Sequence, residues 1–405
     1  MVPASPVARP LRHVARALFP CVWRGKYFSS GNEPAESNRV TPMFRHLMYK
    51  IKSTGPITVA EYMKEVLTNP DKGYYVHHDM LGEKGDFITS PEISQIFGEL
   101  VGIWFISEWM SSGKSSAFQL VELGPGRGTL TGDILRVFSQ LGSVLKTCDI
   151  SVHLVEVSQK LSEFQALTLT DKKIPLERDA ESLVYMKGVT KSGIPVSWYR
   201  DLKDVPKGYS FYLANEFFDV LPIHKFQCGE TRDHIEVCPE AGVIIQELSQ
   251  RIALTGGAAL IADYGHDGTK TDTFRGFCSH KLHDVLIAPG TADLTADVDF
   301  SYLRRMTQGK AASLGPIQQQ TFLKNMGIDV RLKVLLDKAD EPSVRQQLLH
   351  GYNMLMNPKK MGERFNFFAL LPHQRLQVGS HQMGTCQSKP SASSPVAGFG
   401  ELTWQ

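Results

Sequence analysis

A chain of 405 residues exceeds one average domain of about 100 to 200 residues, so one large elaborated domain or two domains are expected. With 42% hydrophobic and 21% charged residues, and 44 basic against 42 acidic side chains, the composition is that of an ordinary globular protein and gives no reason to expect nucleic acid as a general partner. Six scattered cysteines without a CxxC pair or a Cys/His spacing argue against a metal site or a disulfide framework, and no apolar run reaches the ~18 to 20 residues of a membrane span.

Residues 1 to 32 carry Arg9, Arg12, Arg16, Arg24 and Lys26 with no acid before Glu33, interleaved with aliphatic and hydroxylated residues. An acid-free amphipathic segment of this kind is drawn to an anionic surface and a negative-inside potential, so residues 1–44 read as a mitochondrial transit peptide; a disordered basic terminus is the competing reading. From about residue 41 the pattern becomes globular. Val59, Tyr62, Met63, Val66 and Leu67 have helical spacing, ended by Asn69-Pro70-Asp71-Lys72-Gly73. Ser90 fits an N-cap and Pro91 a first helical position, ahead of the apolar stripe Ile93, Ile96, Phe97, Leu100 and Val101. After Gly113 strands are predicted at 118–123, 150–157, 195–198, 209–214 and 258–263, with helices near 128–141, 159–168 and 240–254. That alternation predicts an α/β fold with a parallel sheet covered on both faces. Residues 365–371 read as the last strand. Beyond Pro372 the chain is rich in Gln, Ser, Gly and Pro, so 373–405 is expected to be a disordered tail behind a globular unit over 45–372.

The loop after the first of these strands carries the clearest chemistry. Gly124, Gly126 and Gly128 follow a strand containing Glu122, and Pro125 lies between them. Glycines there permit positive φ and let a cofactor approach the backbone, as in dinucleotide folds. The register differs from the dinucleotide fingerprint, because Thr129 stands where its third glycine would be. Glu122 is unhelpful beside a pyrophosphate and favourable beside a sulfonium cofactor with an ammonium group. Glu156, at the tip of the second strand, is the candidate for ribose hydroxyls; a solvated strand-end acid is the alternative. Further along, Asn215, Glu216 and Asp219 leave a strand end where open α/β sheets bind substrates. Glu216 and Asp219 suit a guanidinium, which they could orient and deprotonate, with Asn215 positioning backbone or cofactor. Capping of a helix and turn explains Asn215 and Asp219 equally. His266 reads either as a base or as a hydrogen-bonded loop residue, and the acidic stretch 289–300 either as a cover for the pocket or as helix caps.

Together, GDFITSPEIS at 85–94, ELGPGRG at 122–128, LVEVS at 154–158, NEFFDVLP at 215–222, ADYGH at 262–266 and TADLTADVDF at 291–300 resemble the MidA-like methyltransferases over roughly residues 45 to 372. The resemblance implies a class I, Rossmann-like S-adenosylmethionine-dependent methyltransferase sheet with helical N-terminal and C-terminal additions. It further implies a mitochondrial matrix location and symmetric dimethylation of arginine on a complex I (NADH dehydrogenase) peripheral-arm subunit during early assembly. The family continues after Gln227 through an added strand pair, whereas here Cys228-Gly229-Glu230 leads almost directly into Thr231. That shortening bears on completion of the sheet and on acceptor binding. It leaves a cofactor-holding assembly chaperone without turnover as an alternative; a nicotinamide-dependent reductase is a third reading.

Overall fold

The computed structural model describes residues 40–77, 89–228, 233–376 and 395–400. The basic N-terminal segment and residues 85–88 of the GDFITSPEIS motif lie outside the described residues. The first element, α1 (Pro42–Thr54), was not singled out by apolar spacing; α2 (Val59–Thr68) falls where expected, burying Ala60, Met63, Val66 and Leu67. Thr41 and Thr58 cap them, each hydroxyl accepting the N–H three residues on, which satisfies one of the orphan donors of a helix start.

The capping expectation at Ser90 is corrected. A single turn, Ser90–Ile93, starts from Thr89, and the long helix α3 (Gln95–Ser111) restarts after Ser94, whose hydroxyl accepts the Ile96 N–H. Ser90 is fully buried, and its N–H goes instead to Glu216. The expected stripe holds for Ile96, Phe97, Leu100 and Val101, all buried, whereas Ile93 lies in the preceding turn and is only partly buried.

From here β1 (Ala117–Leu123), α4 (Thr129–Gln140), β2 (Asp149–Val155) and α5 (Gln159–Leu169) alternate as expected. The short strands β3 (Glu177–Arg178) and β4 (Val184–Val189), which were not expected, precede β5 (Pro195–Tyr199) and β6 (Ser210–Asn215). A ribbon of β7 (His224–Cys228) and β8 (Asp233–Val237) leads to α6 (Pro239–Thr255) and β9 (Gly257–His266). Then come β10 (Arg275–Cys278), β11 (Lys281–His283), β12 (Asp293–Thr295), β13 (Val298–Asp299) and α7 (Phe300–Met306). The last strands are β14 (Ala312–Gln318) and β15 (Phe365–Leu371).

The main sheet has the order β14-β15-β9-β6-β1-β2-β5-β4-β3. Its five central strands, β5, β2, β1, β6 and β9, are parallel, while β15, β14, β4 and β3 join antiparallel, so the all-parallel expectation holds only for the centre. Side chains alternate between the two faces, as the two-residue period of a strand requires. Phe118, Leu120, Val152, Leu154, Phe211, Leu213 and Leu260 enter a core with α3 and α4. Val121, Leu123, Val155, Tyr212, Ala214 and Ile261 enter one with α6 and α7. Neighbouring strands run β1 between β2 and β6, and β1 precedes both, so the order reverses at β1; the carboxyl ends there define the crevice where such sheets bind ligands.

A third core joins Met43, Leu47, Met63, Val66, Leu67 and Tyr74 to Leu161, Ile223, Leu294 and Ala296. It seats the N-terminal helices and the small sheet β11-β10-β12 over that crevice. Part of the expected tail is also ordered. Val396 and Phe399 are buried, Phe399 packs edge-on against Phe322, and Trp104 Nε1 donates to the Ala397 carbonyl at 2.9 Å. Average composition hid two apolar residues that find a ready groove. The departure after Gln227 lies between β7 and β8, where residues 229–232 are outside the described residues, and neither strand belongs to the main sheet.

Candidate active site

The glycine loop follows the expected physics. Gly124, Gly126 and Gly128 have φ of 63°, 54° and 81°, and the Gly128 N–H closes a turn on the Pro125 carbonyl at 2.7 Å. A Cβ on Gly124 would stand 2.7 Å from the Phe217 ring, so this loop and the Asn215–Asp219 loop pack against each other. Glu122 is 2% exposed and accepts the hydroxyl of Thr131, in the first turns of α4. Burial, opposed by Thr131, pushes its pKa up to about 7.

Glu156 is also buried, and burial raises its pKa to about 7 against hydrogen bonds from Ser158 and Gln165. Its Oε1 accepts the Ser158 N–H at 2.7 Å and its Oε2 the Gln165 amide at 3.0 Å, and the Val157 N–H also favours its charged form. The same Gln165 nitrogen donates to the Gly126 carbonyl at 2.8 Å, and Trp198 Nε1 fixes its oxygen at 2.9 Å. Gln165 therefore ties the glycine loop to the second strand-end acid. Nothing in the spacing of the sequence marked it.

The acceptor-side residues come together. Glu216, with φ of 50°, sits in the left-handed region that costs a non-glycine residue about 1–2 kcal/mol and is concentrated at functional sites. Its Oε1 accepts the Ser90 N–H at 2.9 Å and the Asn215 amide at 3.2 Å. Burial, against the Ser90 N–H, lifts its pKa to about 8. Asp219 is 5% exposed; burial and then the charges of Asp263, Asp293 and Glu216 hold its pKa well above the carboxylate range. Among the described residues, Asp219 Oδ1 and Asn215 Oδ1 are buried without a hydrogen-bond partner. Such atoms cost about 1–3 kcal/mol each unless a ligand satisfies them.

Asp263, and not His266, is the residue of the β9 end that reaches the acceptor loop. It is fully buried, and its Oδ2 accepts the N–H groups of Phe217, Phe218 and Asp219 at 3.2, 2.9 and 3.3 Å, while Oδ1 accepts that of Tyr264 at 2.8 Å. This strand-end carboxylate pins the acceptor loop by its backbone. His266 Nδ1 accepts the N–H groups of Thr269 and Lys270, the geometry of a loop residue. In the 289–300 stretch the capping reading holds for Asp299, whose side chain accepts the Tyr302 N–H at the start of α7, and Asp293 is buried. Arg275, whose charge partly offsets the upward shift of Asp219, is paired with Asp297 at 2.6 Å. Among the described residues no group of three or more His, Cys, Asp and Glu could hold a metal, and no helix is long and apolar enough to cross a membrane.

Comparisons with known proteins give the family and the fold. The family model of S-adenosyl-L-methionine-dependent methyltransferases matches residues 100–233 and 228–317. The human protein arginine methyltransferase NDUFAF7, mitochondrial, is 78% identical over 433 aligned residues, covering 98% of each chain. The Xenopus laevis protein of the same name is 58% identical over 92% of each, and a Drosophila melanogaster homolog is 46% identical over 81% of this chain and 84% of its own. The same fold is found in a Burkholderia thailandensis protein described as a methyl transferase and solved bound to S-adenosyl-homocysteine. It has a TM-score of 0.66 at 22% identity and covers 84% of this chain and 95% of that one. The sheet is that of a class I methyltransferase, the cofactor is S-adenosylmethionine, and the chain belongs to the MidA-like family of S-adenosyl-L-methionine-dependent methyltransferases.

Proposed function

We propose that this chain, as a member of that family, methylates arginine in a protein substrate. The observation that supports it is the acid cluster beyond β6, where Asp219 keeps a buried oxygen without a partner among the described residues beside Glu216, Asp263 and Asp293. Burial among other acids keeps Asp219 protonated until a cation pairs with it, and a planar cation with several donors is the ligand chemistry that would stabilise its charged form and satisfy its open oxygen. The relatives named protein arginine methyltransferase support the same reading.

The residues present fit the cofactor: a turn of left-handed glycines between two buried strand-end acids offers close backbone approach and acceptors for an ammonium group and ribose hydroxyls. Glu122, Gly124, Pro125, Gly126, Gly128 and Glu156 would hold it. When bound, the cofactor supplies a methyl group already activated on a sulfonium. Glu216 and Asp219 orient the guanidinium, and a carboxylate whose pKa burial lifts to about 8 can take the proton that the attacking nitrogen gives up. Asn215 fixes the Glu216 carboxylate at 3.2 Å.

The finer terms of the proposal are symmetric dimethylation, a complex I peripheral-arm subunit as substrate during early assembly, and the mitochondrial matrix as location. The relatives' mitochondrial names and the acid-free residues 1–32 support the location. A second reading, a cofactor-binding assembly chaperone without turnover, draws support from the family match breaking at 228–233. Purified chain, labelled S-adenosylmethionine and complex I subunits separate the two. Labelled dimethylarginine, lost in Glu216→Gln with cofactor affinity retained, is expected; cofactor binding without any labelled product would sink the enzyme reading.

A further inference from the structure

Tyr75 connects two walls of the site. Its carbonyl accepts the Ser158 hydroxyl at 3.1 Å, two residues beyond Glu156, and its phenol donates to Asp293 Oδ1 at 2.7 Å. Asp293 is 4% exposed and begins β12. Thr295 shares its face of the strand by the two-residue period, is 5% exposed, and has a hydroxyl without a hydrogen-bond partner among the described residues. The next residue, Ala296, donates its N–H to the Asp219 carbonyl at 2.9 Å, which lays β12 directly against the acceptor loop. Unsatisfied buried oxygens thus come from the end of β6 (Asn215), from the acceptor loop (Asp219) and from β12 (Thr295).

All three orphan groups can accept hydrogen bonds, so the ligand that satisfies them is rich in donors. A guanidinium presents five N–H groups in a rigid plane, whereas an ammonium presents three around one point and reaches fewer walls at once. We propose that Asp293 is a further substrate-binding carboxylate: held by Tyr75 beside Asp219, it closes the acceptor pocket around a planar guanidinium and makes the pocket select arginine over lysine. This inference rests on the arginine reading above and adds to it the residue that sets the selectivity. Asp293 also stands among the charges that raise the proton affinity of Asp219, after burial and Asp263.

The test titrates the full chain, saturated with S-adenosylhomocysteine, with a synthetic peptide holding one arginine and with its lysine counterpart. The wild type should prefer the arginine peptide. Asp293→Asn keeps an acceptor for Tyr75 and should weaken arginine-peptide binding roughly 10- to 100-fold, the worth of one charge-assisted hydrogen bond, while narrowing the arginine-to-lysine ratio. Affinity for S-adenosylhomocysteine should stay unchanged, a split that a purely structural role would not produce. Tyr75→Phe and Thr295→Val should each cause a smaller loss in the same direction, and they carry the test if Asp293→Asn does not fold. Wild-type selectivity in the folded variants would overturn the Asp293 assignment alone. Equal binding of both peptides by the wild type would overturn it together with the arginine reading.

Discussion

Glu122→Gln should move stability and cofactor affinity in opposite directions. The side chain is 2% exposed and accepts the Thr131 hydroxyl, a bond that a glutamine oxygen can equally accept, so the substitution removes charge with little change of shape. Burial raises the pKa of Glu122 from 4.5 to about 7. The folded protein therefore holds a proton that the unfolded chain releases, and the Glu122 contribution to stability is lost as pH rises through that window. At about 1.4 kcal/mol per tenfold, the full effect is on the order of 3 kcal/mol, or roughly 5 °C in Tm for a chain of this size. Cofactor-free Glu122→Gln should accordingly gain on the wild type between pH 5 and pH 8 in thermal scans. Calorimetry should show S-adenosylhomocysteine binding weakened about 10- to 100-fold, because the ammonium group loses a charged acceptor. A variant that loses stability at pH 8 and binds the cofactor normally would refute the reasoning and reduce Glu122 to an anchor for Thr131.

Gly124→Val places a β-branched side chain at φ of 63° with its Cβ 2.7 Å from Phe217, and should abolish both the cofactor-induced rise in Tm and methyl transfer. Gly124→Ala should keep part of the Tm response, since only one atom must be accommodated. Asp263→Ala leaves four backbone N–H groups without their acceptor and should cost at least about 3 kcal/mol in denaturant titrations. If it folds, transfer should fall far more than cofactor affinity; equal losses in both would contradict the pinning role. Glu236→Ala removes the acceptor for the N–H groups of Thr273 and Phe274, at 2.9 and 3.1 Å, and should raise the KM for the protein substrate while leaving S-adenosylhomocysteine affinity unchanged.

The parts of the molecule legible in the sequence are those governed by local rules. The strand ending in Glu122 and Leu123, the left-handed glycines and the helix beyond them follow from spacing and from the freedom of glycine. Asn215, Glu216 and Asp219 were found because strand ends in an open α/β sheet are where ligands bind. What escaped depends on partners distant along the chain. Asp263 meets the Phe217 N–H across 46 positions and Tyr75 meets Asp293 across 218, and no periodicity records such pairs. Residues 395–400 escaped for a related reason, since two apolar side chains matter only when Trp104 and Phe322 stand ready to receive them.

The shortened ribbon follows the same division between local and distant effects. The alignment with the human relative spans 433 positions, more than the 405 residues of this chain, and the family match divides at 228–233, so the relative carries a segment that is absent here. The chain absorbs the cut at the end of an antiparallel pair, with His224 opposite Val237 and Cys228 opposite Asp233, while β6 and β9 keep their register from Ser210–Gly257 to Asn215–Ala262. The acid cluster and the glycine loop therefore stand on strands that the shortening does not touch. At the middle of the ribbon Phe226 and Ile235 lie side by side, 49% and 47% exposed. At its base Glu236 accepts the Thr273 hydroxyl, which in turn accepts the Asp297 N–H, and so reaches the small sheet that carries Asp293. Among the described residues the hydrogen bonds of Glu236 thus tie the ribbon to the segment that carries Asp293. On the proposed reading, a change in the ribbon should therefore alter the KM for a protein substrate before it alters S-adenosylhomocysteine affinity, and equal changes in both would refute it.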